Sequence, residues 1–201
     1  MQEETTMAVR HEIKSQLAKL LATEDLIVEH KHVETACFNV HTRVLTLPMW
    51  EKASNTVYDL LVGHEVGHAL FTPDENWLEK VAVPPQFVNV VEDARIEKLM
   101  KRKYLGLAKT FFKGYGELNE DDFFSISDSD ITTFNLADRA NLYFKVGNFV
   151  DISFDSEEKV LIQKIAEVET FDEALKVAEE LYLFCKKEKE EKIDDMPVPL
   201  K

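Results

Sequence analysis

The chain has 201 residues and carries 24 Lys and Arg against 38 Asp and Glu, a formal net charge of −14. Its length suits one domain with a sizeable core, and 45% hydrophobic and 31% charged residues describe an ordinary soluble globular protein. The negative charge argues against nucleic-acid and anionic-membrane partners, and no apolar run approaches the ~18 residues that span a bilayer. The acidic, polar opening segment does not read as a secretory signal. Cys37 and Cys185 form no CxxC pair, so the expectation is two reduced thiols in a cytoplasmic protein.

In chain order, Ile13, Leu17, Leu20 and Leu21 follow a helical rhythm that predicts a first helix over 7–22, capped by Thr5 or Thr6. Residues 33–48 alternate with period two around a polar break at His41-Thr42, which predicts a β-hairpin. The break holds no Asn-Gly or Gly, so the pattern leaves the turn type open. A second helix should run from Ser54 or Asn55 to about Leu70, stopped by Pro73. A third should start at Pro84-Pro85 and reach about Lys103. Residues 105–134 read as irregular and acidic, with seven acidic and no basic residues between Glu117 and Asp138. Three more helices are expected beyond, the first bracketed by Asn135 and Gly147. The next two open on the capping pairs Asp155 with Glu158 and Thr170 with Glu173. The sum is an α+β fold, predominantly helical with a small antiparallel β element, forming one domain over 1–185. Residues 186–201 read as a fraying helix passing into a charged linker or disordered tail.

One segment carries chemistry. In Gly63-His64-Glu65-Val66-Gly67-His68 two histidines stand four residues apart, about one helical turn, so they project from one face and can hold one metal between them. Glu65 falls beside such a metal and can take the proton of a water activated there. The flanking residues are uncharged, as a buried site helix requires. Zinc needs a third protein ligand. The His that some HExxH sites supply six residues after the second histidine is replaced here by Asp74. Asn89-Val90-Val91-Glu92-Asp93-Ala94-Arg95-Ile96-Glu97 on the next helix offers the carboxylate instead. Glu92, 24 residues after His68, is placed ahead of Asp93, though carboxylates of either length satisfy zinc. If Asp93 is the ligand, Glu97 at i+4 could orient a ligand histidine. If Glu92 is, Asp93 or Asn89 could do so.

With these residues the chain resembles the HExxH zincin metallopeptidases of the gluzincin type. More narrowly it resembles metallopeptidase-like domains found N-terminal to von Willebrand factor A domains, in phage-encoded proteins and relatives of a cobaltochelatase subunit. The resemblance rests on ACFNVHTRVLTLP, GHEVGHALFTP and NVVEDARIE, about a third of the chain. It implies a zincin-like fold, Zn2+ as cofactor, and hydrolysis of a peptide bond in a protein or peptide substrate with Glu65 as general base. It further implies that Val44, Leu45, Thr46 and Leu47 form a substrate-side edge strand, and that a von Willebrand A or AAA+ ATPase protein is a partner. Two departures stand out: no von Willebrand A domain lies within these residues, and no Tyr or His donor for a transition-state oxyanion stands out. The alternatives are a non-catalytic metal-binding interaction module beside such a partner, and a helical structural protein without metal. His30, His32 and His41 read as solvated histidines flanking a strand rather than a second metal site.

Overall fold

The computed structural model describes residues 9–194. Among them are α1 (His11–Ala22), β1 (Ile27–Lys31), β2 (Cys37–Asn39), β3 (Val44–Pro48), α2 (Asn55–Phe71), α3 (Pro85–Lys103), α4 (Leu107–Glu120), α5 (Leu136–Val146), α6 (Ser156–Glu167) and α7 (Phe171–Asp194). The architecture is α+β with helices dominant, as expected. No described helix is long and apolar enough to cross a membrane. The described chain, expected as one domain, divides into two compact units. One holds the residues up to Asp74 with Ile96–Ser127; the other holds Glu75–Arg95 with the residues from Asp128 on.

In the first unit the sheet order is β1-β3-β2. The expected hairpin is β2 with β3, antiparallel, with Phe38 opposite Leu45. Its turn works without glycine because the Asn39 side chain accepts hydrogen bonds from the backbone N–H groups of His41 and Thr42, both at 2.9 Å. Arg43 then adopts a left-handed conformation, φ 58°. Its guanidinium offsets that strain by donating to both oxygens of Glu24, at 2.9 and 2.7 Å, and to the Ala69 carbonyl of α2 at 2.8 Å. β1 was not expected. It pairs parallel with β3, from Ile27 opposite Val44 to Lys31 opposite Pro48. That corrects the expectation for Val44, Leu45, Thr46 and Leu47. They belong to the central strand: Val44, Leu45 and Thr46 are paired on both sides and Leu47 with β1, so an extended substrate cannot add along the strand as to an open edge. Leu45 and Leu47 are fully buried.

α2 is the axis of this unit and packs on α1, α4 and the hairpin. Ser54 caps it by accepting from the Val57 N–H at 3.1 Å, and nine of its residues are buried. A helix enclosed on most sides must be apolar nearly all round, and the middle of α2, from Leu60 to Gly63, carries no polar side chain. α4 replaces the irregular segment expected over 105–134. Phe111, Tyr115 and Leu118 recur at helical spacing and bury. Gly114 allows the crossing, since a Cβ there would meet Leu60 Cδ1 at 2.7 Å and Cβ at 2.9 Å. The predicted start of α1 is shortened: the helix begins at His11 with no side-chain cap at Arg10, and Thr5 and Thr6 lie outside the described residues.

The second unit is built from the first part of α3 with α5, α6 and α7. Its core includes Val88, Val91, Leu136, Ala140, Ile165 and Leu181. The caps fall where the sequence puts them. Asn135 accepts from the Asp138 N–H, Asp155 and Glu158 form a reciprocal capping box, and Thr170 and Glu173 bond each other's backbone. α7 runs on through Asp194, so the helical start of the charged tail extends over 186–194; 195–201 lie outside the described residues.

Candidate metal centre

His64 and His68 are half-buried one turn apart on α2, with ring centroids 5.1 Å apart in an edge-to-face arrangement. Each ring is held through the same nitrogen. His64 Nδ1 lies 2.7 Å from Glu97 Oε1, and His68 Nδ1 lies 2.9 Å from Thr72 Oγ1. Beside a carboxylate, Nδ1 of His64 is the donor, which in the neutral ring leaves the lone pair on Nε2. Thr72 ends α2: its own N–H bonds the His68 carbonyl at 3.0 Å, which fixes the backbone that carries the second contact.

Glu97 reaches His64 because the two helices come close. Gly67 makes the approach possible, since a Cβ there would meet Ile96 Cδ1 at 2.8 Å and Met100 Cγ at 3.1 Å. Glu97 is buried, 4% exposed. Its Oε1 accepts a second hydrogen bond, from the Tyr115 hydroxyl of α4. The carboxylate is therefore immobilised by donors from two helices, and Tyr115 is a site residue that the sequence did not single out. Its role depends on α4, where the sequence showed no helix. Thr72 did leave a signal, the i+4 spacing from His68, and was passed over. Glu65 is buried, 8% exposed, on the same helix.

The remaining expected residues lie on α3. Glu92 is buried, and both its oxygens accept from Arg95, at 2.8 and 2.6 Å. That is a bidentate pair within one turn, and Arg95 also donates to the Glu169 carbonyl at 3.2 Å. Glu92 thus anchors an arginine, a role different from that of a ligand carboxylate. Asp93 is half-buried, and its Oδ2 accepts from Lys145 Nζ at 2.9 Å. Asp93 and Glu97 are four residues apart on one continuous helix and so share a face. Asn89 is exposed. The donor set of imidazole nitrogens and carboxylate oxygens is of the kind zinc takes.

No protein-family model, curated protein or solved structure matches the chain.

Proposed function

We propose that the chain is a zinc-dependent hydrolase of the zincin type, acting on peptide bonds, with His64 and His68 as ligands and Glu65 as general base. The observation that carries the reading is the anchoring of both histidines through Nδ1, one by a buried carboxylate and one by a hydroxyl. Metal-binding histidines are fixed in this way, because the outer partner sets the tautomer and the ring orientation. Two histidines at helical spacing by accident would have no need of it.

For the third ligand we favour Asp93 over Glu92. Glu92 has both oxygens engaged by Arg95. Asp93 stands one turn before Glu97, the residue that orients His64, on the same continuous helix, and a carboxylate is the partner zinc takes beside two imidazoles.

Zinc, when bound, supplies a water acidified to a pKa of roughly 7 and polarises the scissile carbonyl. The chain's residues do the rest. Glu65, held in a low-dielectric surrounding, takes a proton and returns it to the leaving amine. Glu97 and Tyr115 keep the His64 ring in one orientation, and Thr72 does the same for His68.

The test is Glu65→Gln, assayed on a peptide library with zinc content measured in parallel. The proposal expects cleavage to fall by roughly a factor of 100 or more while zinc is retained. Undiminished cleavage by the mutant would contradict it. Zinc retained by a wild-type chain that cleaves nothing would point to a metal-bound interaction module.

A further inference from the structure

A cleft of about 510 Å³ opens in the first unit, within the size range of small-ligand sites. It is separate from the histidine pair: its wall includes Val57, seven residues before His64 and so roughly 10 Å along α2. Its place follows from topology. β1 and β3 are parallel and end on the same side. His32 follows β1, Met49 and Trp50 follow β3, and all three line the cleft. The carboxyl ends of parallel strands are where such sheets open a crevice.

The lining has a definite chemistry. Trp50 and Phe123 both line the space and pack on each other, ring centroids 5.7 Å apart and planes inclined at 59°. Glu51, Lys52 and Asp121 stand at the rim with His32. Asp121 also terminates α4, so the negative end of a 14-residue helix falls on the cleft. The positive end of α2 is already answered, since Ser54 caps it and donates to the Glu117 carboxylate. Lys52 offsets one carboxylate. Asp121 and the helix end leave the balance negative.

We propose that this cleft binds an alkylammonium group, a cationic head against the aromatic pair of Trp50 and Phe123 with its apolar stem along Met49, Val57 and Leu118. Aromatic faces attract such cations through their negative quadrupole, and neighbouring carboxylates add a second attraction. The group could belong to a free quaternary amine or to a lysine side chain of a peptide.

Trp50 reports directly. It and Trp77 are the two tryptophans of the chain, so Trp77→Phe isolates its emission. The full-length variant would be titrated with choline, with its neutral isostere 3,3-dimethylbutan-1-ol, and with Nα-acetyl-lysine methylamide. A saturable change is expected with at least one cation, roughly three- to tenfold tighter than with the alcohol. Phe123→Leu and Asp121→Asn, added singly, should each weaken the cation severalfold with thermal unfolding unchanged. Which cation binds tighter identifies the source as a free quaternary amine or a peptide lysine. Equal binding of the alcohol, or no saturable change with either cation, would overturn the proposal. Unchanged cation affinity in both added variants would do so too. Zinc is absent from the titration, so its outcome is independent of the metal site.

Discussion

At Glu97 two donors from different helices, His64 Nδ1 and the Tyr115 hydroxyl, meet on a single oxygen. Orienting contacts of this kind commonly tune metal affinity by one to two orders of magnitude. Glu97→Gln, which keeps the shape and removes the charge, is expected to weaken zinc binding by roughly 10–100-fold in a chelator competition; an unchanged affinity would mean that Glu97 does not orient a ligand. A second residue-scale effect lies at His30. Its ring stands 4.7 Å from that of His11, its Nε2 is 2.9 Å from Ser15 Oγ, and the buried Nδ1 atoms of His11 and His30 have no hydrogen-bond partner among the described residues. Burial, and secondarily the His11 charge, push the His30 pKa below the ordinary histidine range. The unfolded chain therefore binds more protons than the folded one just below pH ~6.5, so stability is full above that pH and falls as the solution is acidified. His30→Gln should flatten the slope of urea-unfolding stability between about pH 6.5 and 5. At this scale His64, Glu65 and His68 were legible because one helical turn fixes their geometry. Tyr115 was not, because only the packing of α4 brings it to Glu97. The preference for Glu92 could not anticipate that Arg95, three residues on, takes both its oxygens.

Elements were read best where a local rule decides them. Caps at Asn135, Asp155 and Thr170 mark helix starts because an orphan N–H needs an acceptor nearby, and all three are in place. The hairpin was legible from its alternation. β1 was not, because its burial is graded and its partner is parallel and distant in sequence. That one missed strand changed the meaning of β3 from edge to centre. α4 was hidden by acidic residues at its end and by Gly114 and Gly116, which read as loop. Yet Gly114 is what packs α4 against α2. Gly114→Ala forces its new methyl against Leu60 Cβ. The expected cost is about 1–3 kcal/mol of stability in denaturant unfolding, in spite of alanine's better helix propensity. A neutral or stabilising result would show that the α2–α4 crossing has slack.

At the scale of the whole chain, the sum of the predicted elements gave the helical class, and the division into two compact units left no mark in the sequence. The reason is physical. A boundary is readable when a Pro-, Gly- or polar-rich linker marks it, whereas here one passes through α3 between Arg95 and Ile96 with no such residues. Each unit has its own cohesion. In the second, the buried Arg139 guanidinium bonds both oxygens of Glu158, and also the Phe134 and Ser153 carbonyls. In the first, the Tyr58 hydroxyl accepts from the Trp50 N–H and donates to the Pro48 carbonyl, at 2.7 and 2.6 Å, tying α2 to the end of β3. The histidine pair rests on that rigid helix, which suits a site that must hold ligand geometry closely.

The measurement that bears most directly on the central claim is the zinc content of protein purified without chelator, by elemental mass spectrometry, beside a His64→Ala control shown to be folded by circular dichroism. The account predicts close to one zinc per chain in the wild type and loss of most of it in the variant. Wild-type protein that takes up no metal even when zinc is supplied would contradict it.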